Sequence, residues 1–177
     1  MDRRVTHLLV ALLAVTGVFV ATGAYEPFLT TDGFQPTTEA PGGTPTEGAY
    51  EQATVRVLAE NGTELGAVRV AIADTFQKRY TGLSETESLP ENRGMLFTYD
   101  EEGNHTYVMR GMDFGIDIVY IGADGRITTI HHAPEPPEGA DGNEFRYPGR
   151  GQYVLEVNYN WTTRRGIEEG DRVVIER

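Results

Sequence analysis

The stretch that most limits what this chain can fold into is Thr106–Ile121, TYVMRGMDFGIDIVYI, preceded by Gly94–Phe97 (GMLF) and closed by Gly122–Gly125 (GADG). Short apolar runs with Met and aromatic residues flank a glycine-rich joint. The run after the joint, rich in Ile, Val and Tyr, admits a single acid, Asp117. Apolar runs this short, bounded by glycine turns, read as strands of a packed sheet.

The same reasoning extends the sheet in both directions. Thr54–Ala59 alternates as a strand, Asn61-Gly62 is a hairpin signal, and Leu65–Ala73 returns with Val68, Val70 and Ile72 on one face. A short helix follows, with Asp74 as N-cap, Gln77 completing a capping box, Phe76 and Tyr80 on one face, and Gly82 at its end. Gly94–Tyr99, His105–Arg110 and Ile116–Ile121 are read as strands, and Arg126–His132 pairs back on the last of these. Pro134–Gly151 reads as a long polar loop rich in Pro and Gly. Gln152–Val157 is a strand with Tyr153, Leu155 and Val157 inward. Asn160 caps a short helix, Trp161–Arg165, stopped by Gly166, and Asp171–Glu176 closes the sheet. The expectation is an α+β fold, mostly β: one compact antiparallel or mixed barrel-like sheet with two short helices over residues 53–177.

Upstream the chain changes character. Arg3 and Arg4 precede an uncharged apolar run, Leu8–Ala24, so residues 1–24 read as a signal peptide or an uncleaved membrane anchor. Either sends the rest of the chain outward. Residues 25–52 are rich in Thr, Pro, Gly and Glu and read as a disordered tether. The expected location is therefore exported: held at the cell membrane with the domain outside, or secreted. With 27 acids against 15 bases the net charge is -12, which makes nucleic acid a poor partner. Lys78 is the only lysine, and acid excess with so little lysine is the balance of a protein kept soluble in concentrated salt. No cysteine is present, so disulfides and thiolate chemistry are excluded.

With these residues laid out, the domain resembles the family called domain of unknown function 192. The matching pieces stand in order over about residues 68–174: Gly82-Leu83, Leu89-Pro90, GMLF, Tyr107–Met109, Ile116-Asp117-Ile118, Asp124-Gly125, YVLEVN at Tyr153–Asn158, Trp161, Gly166-Ile167 and Gly170-Asp171. The resemblance implies a compact, mostly β domain, often exported, with no established activity. The departures fall on polar positions. Thr81 stands where the family usually has arginine, Arg110-Gly111-Met112 where it has Lys-Asn-Thr, and the proline expected before Ile-Asp is missing.

Candidate chemistry is sparse. The two serines, Ser84 and Ser88, lie around a helix end and a loop, where caps and turns are their simpler use. His131 and His132 are adjacent in a strand and point to opposite faces, so they cannot share a metal ion. No phosphate loop or ligand spacing implies a cofactor or metal. Arg110, Asp117 and Glu156 each interrupt an apolar strand, and a charge so placed is usually paired. Arg110 and Asp117, brought together across the joint with Glu156 beside them, read as a register-setting ion pair or as a polar pocket gripping an anion. Asn104 is the best acceptor of the three glycosylation sequons. The reading is an exported, membrane-tethered binding module for a small ligand or an envelope protein. The alternative is a hydrolase or metal-dependent enzyme around Arg110, Asp117, a histidine and Glu156.

Overall fold

Alternation in the sequence turns directly into strand faces. In β1 (Gln52–Leu58) Ala53, Val55 and Val57 are buried and the residues between them are not, as a strand with one face on a core requires. The chain turns at Asn61-Gly62, with Gly62 at φ 82°, into β2 (Glu64–Ala73), which pairs antiparallel so that Val55 faces Val68. The structure is a computed structural model and describes residues 50–177; the apolar run Leu8–Ala24 and the tether up to residue 49 lie outside the described residues. The last residues assigned to the tether belong to the domain instead: Ile72 N donates to Glu51 O, and Gln52 opens β1 opposite Ala71. Among the described residues no helix is long and apolar enough to cross a membrane.

The remaining strands are β3 (Arg93–Val108), β4 (Ile116–Ile121), β5 (Ile127–Ala133), β6 (Arg146–Asn158) and β7 (Arg172–Glu176). All seven form one sheet in the order β5-β4-β6-β3-β2-β1-β7, antiparallel except for the parallel pair β2–β3. The sheet curls until its outer strands approach: Arg126 bridges Arg172, and Val173 N donates to Gly125 O at 2.7 Å. The half-barrel so formed encloses Val55, Val70, Ile72, Leu96, Val119, Leu155, Val157 and Trp161. The mostly β, mixed, barrel-like architecture with two short helices is thus as the sequence leads one to expect.

Two expected boundaries are corrected. Gly94–Tyr99 and His105–Arg110 are halves of one strand, β3, and the polar stretch read as a loop to Gly151 contains the first half of β6. Both strands bend at the same level, where the register shifts between Thr98 and Gly103 and glycine faces glycine at Gly103 and Gly151. Beyond the bend the two strands form a ribbon that lies over the outer face of the sheet. Tyr107 meets Phe97 edge-on at 4.9 Å, and Tyr120 Oη donates to Tyr147 O at 2.6 Å. The ribbon backbone rests directly on an aromatic ring, since a Cβ at Gly149 would stand 2.5 Å from Tyr120 Cγ.

Both helix caps also differ from expectation. In α1 (Phe76–Thr81) the N-cap is Thr75, which accepts from Lys78 N at 3.2 Å; Asp74, one residue too early to cap, pairs with Lys78 Nζ at 3.0 Å. In α2 (Trp161–Arg165) Asn160 stands at the N-cap with φ 59° but its side chain caps nothing. The capping oxygens come instead from Asp117: Asn160 N donates to Oδ1 and Thr162 N to Oδ2, each at 2.8 Å.

Candidate functional site

Glu156 sits on β6 between Met95 of β3 and Ile118 of β4, on the face of the sheet that the ribbon covers. Packed among apolar neighbours and 5% exposed, its carboxyl is pushed up to about 8 by burial alone. It therefore holds its proton at neutral pH and can donate a hydrogen bond. Glu156 lines a cavity of about 440 Å³ walled by the end of α1, the ribbon and the joint after β3.

Two arginines face the same cavity. Arg110 Nη2 donates to Tyr80 O, and its guanidinium lies 4.0 Å over the Tyr80 ring. Arg79 Nη1 donates to Asp74 O at 2.8 Å and Thr98 O at 2.9 Å, with its guanidinium 4.9 Å over the Tyr99 ring. Arginine–carboxylate pairs among the described residues involve Arg56, Arg150, Arg164 and Arg165, and neither cavity arginine. His105 stacks on Tyr99 at 3.7 Å, and its Nε2 lies 3.1 Å from Gly151 O. Burial, chiefly, lowers its pKa, so the ring is neutral at pH 7 and donates from Nε2 to that carbonyl. The hydroxyls of Tyr99 and Tyr107 lie 3.0 Å apart, and burial raises the Tyr107 pKa strongly. At neutral pH the charges lining the cavity are thus the two guanidiniums.

Asp117 does not join this group. It lies one residue out of phase with Ile116 and Ile118, so it points to the half-barrel face, and it is fully buried. Its carboxylate accepts from His132 Nδ1 and Asn160 N through Oδ1, and from Thr162 N and Thr162 Oγ1 (2.6 Å) through Oδ2. The expected Arg110–Asp117 pair is therefore absent. β6 stands between β3 and β4, and the joint carries Arg110 to α1 instead of to Asp117. Of the three charged residues singled out in the sequence, Arg110 and Glu156 share the cavity, and Asp117 holds a helix in place.

The other marked residues are placed as follows. His131 and His132 point to opposite faces, the first with Nε2 2.7 Å from Pro148 O and the second on Asp117. Among the described residues no group of three or more His, Cys, Asp or Glu is arranged to hold a metal ion. Asn104 is exposed, in the strand ribbon opposite Arg150 and not in a loop, at the edge of the cavity. Trp161 is a core residue of the half-barrel. Sequence reasoning marked Tyr107 only as part of the family pattern and did not single out Arg79 or Tyr99. The signal that pointed nearest to the cavity was the set of departures from the family pattern, because Thr81, Arg110 and Met112 all line it. Gly111 between them has φ 66°, a backbone that glycine and asparagine both tolerate.

This architecture, a curled mixed sheet whose two longest strands fold back over its own outer face, defines a class of small β domains. The chain belongs to the family described as "Uncharacterized ACR, COG1430", domain of unknown function 192, whose pattern matches residues 57–175. It is similar to a solved structure from Sinorhizobium meliloti 1021, described as a candidate transcription regulator: 27% identity and TM-score 0.63, covering 71% of this chain and 95% of that one. It is also similar to a protein of unknown function from Novosphingobium aromaticivorans DSM 12444. There the identity is 26% and the TM-score 0.63, covering 82% of this chain and 97% of that one. No curated protein matches the chain.

Proposed function

We propose that the domain is a binding module that takes a small molecule into the cavity beneath the ribbon, and that the N-terminal segment holds it outside the membrane. The observation that carries the reading is a polar, aromatic-lined hollow in which two arginines meet no carboxylate partner among the described residues and a glutamic acid keeps its proton. Pockets built for ligands combine an apolar lining with a few convergent polar groups in this way. A role in regulating transcription, the words that describe the S. meliloti protein, would, if it required direct contact with nucleic acid, have to overcome a net charge of -12 in this chain. Export rests on the basic start and apolar run of residues 1–24.

A second reading has one specific observation behind it. A carboxyl with a raised pKa in a cavity is the form of a general acid, so Glu156 is the residue on which a hydrolase would be built. Native mass spectrometry of the full chain, purified without denaturation, separates the two. A small molecule retained intact and lost on Arg110→Ala supports the module. A co-purified substrate that is converted, with conversion abolished by Glu156→Gln, supports the enzyme. For location, protease added to intact cells should remove the domain; digestion only after lysis would refute export.

A further inference from the structure

Building on the binding reading above, we propose that the ligand is a small organic carboxylate, its anionic group taken by Arg79 and Arg110 and its apolar body by Tyr99, Tyr107 and Met112. Neither cavity arginine pairs with a carboxylate among the described residues, although the chain carries 27 acids for 15 bases. Both cavity arginines are instead fixed by backbone carbonyls and laid on tyrosine rings. A guanidinium has five N–H donors in a rigid fork, and these anchors use only some of them. The remaining donors are already oriented, so little ordering is left to oppose binding. Their planar geometry suits a carboxylate better than a point-charge partner does. A cation would meet two fixed positive charges, and a neutral ligand would leave both forks without an ionic partner.

The floor of the cavity agrees. Glu156 is a donor while it holds its proton and becomes a repelling charge when it loses it. Tyr99, Tyr107 and Tyr120 face it from β3 and β4, and burial holds the Tyr107 and Tyr120 hydroxyls protonated well beyond that range. His105 on the ribbon, Arg79 on α1 and Arg110 on the joint share its cavity, while Asp117 faces away. Carboxylate affinity should therefore fall as pH rises through about 8, the value to which burial pushes Glu156.

The test is titration calorimetry of the full-length chain with carboxylates of increasing bulk (hexanoate, benzoate, naphthoate), their neutral amides, and phenyl phosphate. At least one carboxylate should bind about tenfold or more tightly than its amide. Arg110→Gln should remove that margin without weakening the amide, and Arg110→Lys should restore part of it. The fall in affinity between pH 7 and pH 9 should be absent in Glu156→Gln, whose amide does not titrate. Amides binding as well as carboxylates would overturn the anion assignment and leave a binding module standing. Phenyl phosphate binding more tightly than every carboxylate would overturn the carboxylate assignment in favour of a phosphate. A pH dependence that survives in Glu156→Gln would overturn the part given to that residue. If no probe binds and native mass spectrometry finds no retained molecule, the proposal and the module reading fall together.

Discussion

Replacing Glu156 by glutamine should stabilise the protein, by an amount that grows with pH. The carboxyl has an ordinary value of 4.5 and stands at about 8 in the folded protein. Between these values the native state keeps a proton that the unfolded chain has released, so stability falls as pH rises, by about 1.4 kcal/mol per unit. At pH 7 the accumulated cost is about 3 kcal/mol, and above pH 8 it levels off at about 5 kcal/mol. Glutamine has nearly the same shape, is neutral like the protonated acid, and does not titrate. Urea unfolding from pH 4 to 9 reads the effect, with the buried Trp161, the chain's one tryptophan, as the fluorescence probe. The two proteins should have nearly equal stability at pH 4 and separate progressively to pH 8, with unchanged dependence on denaturant. All other titrating groups are common to both, so the difference belongs to this carboxyl. A difference that is flat with pH, or a variant destabilised at pH 7, would refute the buried, proton-holding glutamic acid.

Asp117→Asn should cost about 3 kcal/mol, because the amide nitrogen would face donors from His132, Asn160 or Thr162 that now point at a carboxylate; a loss under about 1 kcal/mol in thermal or chemical unfolding would contradict it. Gly149→Ala should cost about 1–3 kcal/mol by pressing a methyl into Tyr120, measured the same way, and a neutral result would mean the ribbon does not rest on that ring. If the acid excess is an adaptation to salt, the thermal midpoint should climb steeply with potassium chloride, and a flat midpoint from dilute buffer to molar salt would exclude it.

How much of this was legible in the sequence depends on the range of the contacts involved. The hairpin at Asn61-Gly62 and the inward row of Val55 and Val57 are local facts, written as a turn dipeptide and an alternation. The ribbon is not. Its strands are polar and rich in glycine because one side meets solvent and the other lies flat on aromatic rings, and that composition is shared with loops. For Asp117 the sequence shows that a buried acid needs partners. Which partners depends on β6 inserting between β3 and β4, a pairing of residues far apart in the chain. The same insertion brings Glu156 up to the Arg110 cavity. Asn160 misled for a related reason: it is the right residue for a cap, but its left-handed backbone turns it away and a distant strand does the work.

The parallel pairing of β2 with β3 has a consequence for how such a domain can change. Two parallel neighbours cannot be joined by a tight turn, so the chain has to travel back across the molecule before β3 can start. That return path is residues 74–92, and it carries α1, Leu83 and Ser84, a wall of the cavity, while supplying no strand to the half-barrel. A change in its length would move the wall of the hollow that Arg79 and Tyr80 form and leave the strand pairing in place, at a cost that falls on Leu83 and Leu89, which the same stretch buries in the core. The opposite wall, built by β3, the joint after it and β6, belongs to the sheet and cannot move so freely. The shape of the hollow is thus open to change on one side and fixed by strand pairing on the other.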